Sequence, residues 1–443
     1  MEINADIAVI GGGWAGFAAA LQASKRGAKV VLVQKGTGAT GLSSGAIDVA
    51  DAPLRPHPDP WEDSPPLESL LRSIFRFEPS HPYSLLSRRF GEGPFLDFLK
   101  GALRQTTQAL PLAYVGDLDS NRLHATPLGT LKATALVQRG MEEGNLWAMR
   151  QAKVLVVGIR GYPAFHSRFV KEALMETQTV QKNPHLFLVG NLDLEIHGLE
   201  GKSSLSAFEI AQRLDQEETF VRFGQAIYHY VHGKVYTHLL LPPVMGVINH
   251  ELILLALRKI TGLQAAETLA APLSVPGYRL DRAIRAALSS LSVECVTGEV
   301  VGYDSEHRQL KSLRVHAGTH RVKVEAKGFV LATGKFIGGG ASQCAPWRDT
   351  VFHLPLVELA AAKNTSFRPE GSSFFSPQPF FNRGLKTNDL LQPLSEEETV
   401  VFENLFAAGS LLSGCDFSRE AASGGLSIVT GAYAGLNAAA FAK

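Results

Sequence analysis

Gly11, Gly13 and Gly16 stand at the positions of a G-x-G-x-x-G turn. In such a turn the first glycine lets the chain reverse tightly. The second lets the backbone approach a pyrophosphate, and the third lets a helix pack closely on a strand. The turn follows the apolar run Ile7–Ile10 and opens an alanine-rich segment that begins Trp14-Ala15. Ala15 and its neighbours offer N–H groups and the positive end of a helix dipole to phosphates. The chemistry implied is binding of a dinucleotide or a flavin. An acidic residue usually ends the second strand of this unit and holds ribose hydroxyls. Gln34 and Lys35 occupy that place here. Gln34 can still bond a hydroxyl, but without charge; the plainer reading is a kept fold with a changed nucleotide mode.

Two further strands end in glycine turns. Ala332-Thr333-Gly334 follows the apolar Phe329–Leu331, and Asn404–Ala408 leads into Gly409 and Ser410. Ligands of open α/β sheets gather at such carboxyl ends. Either turn alone is as readily a plain reversal; three glycine-ended strands spread over both flanks of the chain point to one site. A closing helix begins near Gly424-Gly425-Leu426. Two glycines there either admit a ligand to the helix N-terminus or give it room to pack.

These residues need elements to carry them. The first 35 residues predict strand, helix and strand in one βαβ unit. Residues 51–66, rich in Pro and Asp, read as a surface excursion. Helical patterns follow near 67–76 and 94–109. A second α/β region predicts strands at 153–158, 185–189 and 238–241, with helices near 164–177, 204–216 and 250–261. A basic helix over 277–288 then leads to four strands between Val293 and Val324. The expected fold class is α/β, with a nucleotide domain formed by 1–105 and 275–443 and an inserted α/β cap domain over 106–274.

Bulk properties narrow the classes. The 443 residues are 45% hydrophobic and 19% charged, an ordinary globular balance. A net charge of +1 gives no basic field for nucleic acid. Cys295, Cys344 and Cys415 are far apart and form no metal or cluster spacing, so no metal is expected. The chain enters its first strand at once, which predicts no signal peptide. No run approaches the roughly 18 apolar residues of a membrane span.

The two flanks resemble two-dinucleotide-fold flavoproteins. The resemblance implies a Rossmann-like domain in which residues 11–16 hold the flavin nucleotide, Ala332–Gly334 returns near it, and Gly424 and Gly425 face the ring. Several stretches further resemble the family of the B subunit of anaerobic glycerol-3-phosphate dehydrogenase: Ser43–Asp48, His81–Leu86, Thr126–Leu131, Val156–Ile159 and Pro377–Pro379. This implies a flavoprotein subunit of a complex that oxidises sn-glycerol 3-phosphate to dihydroxyacetone phosphate. A partner flavoprotein subunit and an iron–sulfur, membrane-anchoring subunit would pass electrons to the quinone pool. The location implied is cytoplasmic, peripheral on the inner face of the membrane. The family implies FMN; the glycine turn suits FAD equally.

On that resemblance, Ser43, Ser44 and Gly45 bind the ribityl or phosphate part of the flavin. Thr126, Gly129, Thr130 and Lys132, stiffened by Pro127, cover its reactive face, with Lys132 and Thr130 the catalytic candidates. Each also has a plainer reading, as a Gly/Ser loop or a solvated lysine. His81, His124, His166, His232 and His238 are candidate bases, and Arg160, Arg348, Arg383 and Arg419 candidate anion binders. Two alternatives remain: a stand-alone flavin oxidoreductase of the fumarate-reductase or ketosteroid-dehydrogenase kind, and a flavin-free scaffold.

Overall fold

The first strands, β1 (Glu2–Asn4) and β2 (Ile7–Ile10), lead into helix α1 (Trp14–Lys25) and strand β3 (Val30–Gln34). Every residue of β2 and β3 is buried, as strands covered on both faces must be. The computed structural model describes residues 1–51, 65–149, 151–177, 187–342, 346–357, 379–417, 420 and 422–443. Most of the proline-rich excursion, Cys344, Pro377-Gln378 and Arg419 therefore lie outside the described residues.

A five-stranded sheet runs in the order Glu294–Thr297, β3, β2, Gly328–Leu331, Leu405–Ala407, and every pairing in it is parallel. Gly328–Leu331 thus lies beside β2, with Leu405–Ala407 next to it, and all three turns meet at one edge. Helix α1 packs on the closing helix Ser423–Phe441. A side chain on Gly431 or Gly435 would collide with the backbone of Ala15 or Ala19. The register, Ala15 on Gly431 and Ala19 on Gly435, makes the two helices run in the same direction. Both N-termini therefore arrive at the same end of the sheet.

A second parallel sheet has the order Phe187–Leu194, Ala152–Ile159, His238–Leu241, Gln264–Glu267. Its helices and strands enclose an apolar cluster that runs from Leu123 to Val275. The first cluster reaches along the chain through Leu110, Leu112 and Leu118 before this one starts. A third sheet sets β1 beside the antiparallel strands of residues 299–325.

The structure adds elements the sequence pattern hides. The helix expected over 204–216 is two, Ala207–Leu214 and Glu217–Val231. Ser206 caps the first by accepting from Glu209 N–H at 3.1 Å. Pro82–Phe90 is helical, with His81 as its cap and Pro at its first turn. The Thr126–Thr130 run is the turn of a hairpin between Arg122–Ala125 and Leu131–Thr134.

Arg279, on the helix Val275–Ser290, ties the second sheet to the first. Its guanidinium grips Glu267 through Nη1 at 2.6 Å and Nη2 at 2.9 Å. It also donates to the carbonyl of Gly246 at 2.8 and 2.6 Å. Both side chains are fully buried. Removing one partner strands a charge in the interior. Arg279→Met is expected to cost about 3–5 kcal/mol in urea unfolding, and the double replacement Arg279→Met, Glu267→Leu distinctly less. Equal losses would show that the pair is not what couples the sheets.

Candidate functional site

A cavity of about 920 Å³ opens where the three glycine turns meet, at the upper end of the range for small-molecule sites. Its phosphate end is built by missing side chains. Gly11 has φ +115°, and a side chain there would strike the carbonyl of Ala332; one on Gly16 would strike the carbonyl of Gly11. Helix α1 starts at Gly13 with no side-chain cap and no acid in its first turn. Thr40 Oγ1 accepts from Trp14 N–H at 3.2 Å. Such a helix end offers its other free N–H groups and its positive dipole to an anion.

Among the expected site residues, Gly11, Gly13, Ala15, Gln34 and Lys35 border the cavity. So do Ser43, Ser44, Ala332, Thr333 and Gly334, with Lys132, Gly409, Ser410 and Gly424 completing the set. The others serve elsewhere. Gly16 serves the α1–strand contact. Gly45, at φ +91°, packs against Met141 and Pro276. Thr126 and Thr130 close the hairpin turn, with hydroxyls 2.7 Å apart. Gly129 lies against Val170 and Ala173. Gly425 spends its N–H on the carbonyl of Asp48 at 2.7 Å, and Leu426 is fully buried. Neither Gly425 nor Leu426 borders the cavity.

Beyond the phosphate cradle the cavity continues past buried Gln34 to a rim where Lys35 pairs with Glu299 at 2.7 Å. An acid, Glu299 at the start of the strand Glu299–Glu306, thus stands near the end of β3, where the usual acidic residue is replaced by Gln34. No local signal places it there. At the opposite end, the helix Ser423–Phe441 also begins without a side-chain cap. Asp48 and Lys132 meet across this end at 2.7 Å, the lysine reaching in from the hairpin.

Lys335 follows the second glycine turn directly and is only 6% exposed. It borders the cavity and donates to the carbonyl of Phe381 at 2.7 Å. Burial pushes its ammonium down to about 8, against the pull of Cys415, Asp416 and Glu420. The sequence pattern pointed to Lys132 and to histidines for proton chemistry; the buried lysine at the cavity is this one.

None of the five candidate histidines borders the cavity. His81 is fully buried and its Nδ1 accepts from Tyr83 N–H at 3.0 Å. The proton therefore sits on Nε2, which faces Glu420 Oε2 at 3.1 Å. The Cys415 thiol reaches the same oxygen at 3.1 Å. The three donor atoms are as close as metal ligands, but a metal would need Nε2 bare. The cluster is a hydrogen-bonded clasp on the loop that leads to the closing helix. Burial raises the carboxyl of Glu420, but its bonds to His81, Asp416 and Cys415 hold it below the usual value. Arg160, Arg348 and Arg383 do not border the cavity either. Arg348 bonds the carbonyl of His353 at 2.7 Å, and Arg383 lies over the Trp347 ring.

A family model, FAD binding domain, matches residues 6–426. The chain belongs to the FAD binding domain family. Within it, a Vibrio vulnificus protein named as the B subunit of anaerobic glycerol-3-phosphate dehydrogenase is 29% identical over 435 residues, covering 97% of this chain and 94% of its own. A protein of the same name from Actinobacillus pleuropneumoniae is 26% identical over 440 residues, covering 97% of each. The motif resemblance thus extends over nearly the whole chain. Among solved structures, a flavocytochrome c3 fumarate reductase in its open conformation aligns with 99% of this chain and 79% of its own, at 12% identity and a TM-score of 0.42. The glycine turn, the parallel sheet and the uncapped helix give this member of the FAD binding domain family its Rossmann-like α/β fold.

Two buried histidines outside the cavity set a pH limit. Burial, with Arg122 nearby, pushes His124 down to about 3; burial, with Arg279 nearby, pushes His250 down to about 4. Neither ring nitrogen of either residue has a hydrogen-bond partner. Free histidine titrates near 6.5, so the unfolded chain takes up these protons first. Stability is expected to fall as pH drops from about 6.5 toward about 4. Melting curves across that range should show the loss, and His124→Gln should flatten it. An unchanged slope in that variant would remove His124 from the account.

Proposed function

We propose that the chain is an FAD-dependent flavoprotein subunit of a glycerol-3-phosphate dehydrogenase assembly. It would oxidise sn-glycerol 3-phosphate to dihydroxyacetone phosphate and pass electrons toward a quinone. The observation that carries the flavin reading is the pair of uncapped helix N-termini at one cavity. The names of the relatives support the substrate and the multi-subunit setting. A separate iron–sulfur subunit would then carry the electrons onward. Among the described residues no helix is long and apolar enough to cross a membrane. An inner-face peripheral location would depend on those partners. The second apolar cluster supports an inserted unit between the flanks, beginning at Leu123 rather than at 106, since Leu110, Leu112 and Leu118 join the first cluster.

FAD is favoured over the FMN implied by the family resemblance. FMN ends at its phosphate, whereas the cavity runs on past the cradle to Gln34, Gly298 and Glu299. That arm has the place and the hydrogen-bonding groups for a nucleoside. Bound flavin supplies two-electron acceptor chemistry. The chain's own part is to bind and to place protons. Gly11 to Ala15 receive the diphosphate, and Gln34 and Glu299 face the ribose. The buried Lys335 exchanges a proton with the cavity near neutral pH. Asp48 and Lys132 are an acid–base pair of the kind a stand-alone oxidoreductase needs, so turnover by the isolated chain is the second reading.

The test is the visible spectrum of the purified chain, with the released cofactor weighed. FAD is expected; FMN would remove the nucleoside arm, and no flavin after reconstitution would leave the scaffold reading. Anaerobic glycerol 3-phosphate should bleach the flavin in the assembled complex; no bleaching there would overturn the substrate. Gly13→Asp should leave a folded protein, since Asp is a good helix cap, yet abolish flavin binding by placing a carboxylate in the diphosphate's position. Retained stoichiometric flavin in that variant would refute the cradle.

A further inference from the structure

Asp48 is a buried carboxylate that nothing in the fold demands. Its backbone already has a structural role, since the carbonyl accepts from Gly425 N–H at 2.7 Å. That bond fixes Asp48 against the first turn of the closing helix. Its side chain is 10% exposed, with Oδ2 on Lys132 Nζ at 2.7 Å and Oδ1 buried without a hydrogen-bond partner. Lys132 is thus the only charge compensation the carboxylate has among the described residues. The two come from different parts of the fold, one from the loop after β3 and one from the hairpin. Both border the cavity, and Asp48 stands beside the first turn of the closing helix. An ion pair that served stability alone would gain little here, because burying it costs desolvation that the pairing barely offsets.

We infer that Asp48 and Lys132 form a charge-neutral dyad that sets the reduction potential of the flavin. The inference rests on the flavin reading above. Two-electron reduction places added negative charge on the ring. A positive neighbour stabilises that state and raises the potential; a negative neighbour lowers it. The uncapped end of the closing helix and the Lys335 ammonium already favour the reduced form. Lys132 alone would push further the same way. Asp48 cancels it, so reduction stays reversible and electrons can be passed on. The dyad acts through its field and need not touch the substrate. The Lys35–Glu299 pair lies at the far rim and Lys335 is unchanged in every variant below, so differences between variants report the dyad.

The experiment compares midpoint potentials of the flavin-loaded wild type with Asp48→Asn, Lys132→Gln and the double variant, measured by dye-equilibrated titration at about pH 7, where carboxylates are ionised and Lys335 keeps its proton. Asp48→Asn leaves a net positive charge and should raise the potential. Lys132→Gln leaves a net negative charge and should lower it. The double variant restores neutrality and should return close to wild type. Flavin spectra and unfolding curves, taken in parallel, report folding and loading. A merely structural role would not move the singles in opposite directions and cancel them in the double. Shifts of the same sign, or four equal potentials on fully loaded protein, would overturn the inference. A wild type that binds no flavin would instead overturn the reading beneath it.

Discussion

Backbone-to-backbone packing of α1 against the closing helix is the constraint on which the site depends. Gly431 and Gly435 leave no room between the two helices for a methyl group. The same device recurs at Gly11 against Ala332 and at Gly16 against Gly11. The site is therefore shaped chiefly by side chains that are absent. Any added carbon would spread the helices or lift the turn, and the two dipole ends would no longer converge.

Convergence has an electrostatic result. The chain carries almost no net charge, yet its cavity collects two helix N-termini and the cations Lys35, Lys132 and Lys335 against the acids Asp48 and Glu299. Local potential, not overall charge, decides what enters such a cleft. The aromatic side chains of Phe336 and Phe417 lie within 6.0 Å of the Lys335 ammonium. They help to bury it, and burial lowers its pKa to about 8.

Local signals were legible where they repeat a backbone requirement. The βαβ unit, the three glycine-ended strands and the helix His250–Thr261 follow from patterns within a few residues. What depends on distant chain segments was not. Glu299 reaches the end of β3 only because Glu294–Thr297 pairs there. Asp48 stands inside a family motif, but its partner Lys132 comes from a hairpin whose turn reads as a loop. The Thr126–Thr130 residues look polar and functional in sequence, yet their hydroxyls satisfy one another. The burial of Lys335 was not legible, since one enclosing phenylalanine, Phe336, follows it directly but the other, Phe417, comes from a distant segment. The proline after His81 marks a helix start, and the ring serves that start.

The two helices that meet at Ala15–Gly431 and Ala19–Gly435 lie far apart in sequence. During synthesis the alanine face of α1 therefore stands uncovered until residues 423–441 have been made. Through that interval the nascent chain carries an exposed small-residue stripe, and the contact that finally covers it is among the least local in the fold.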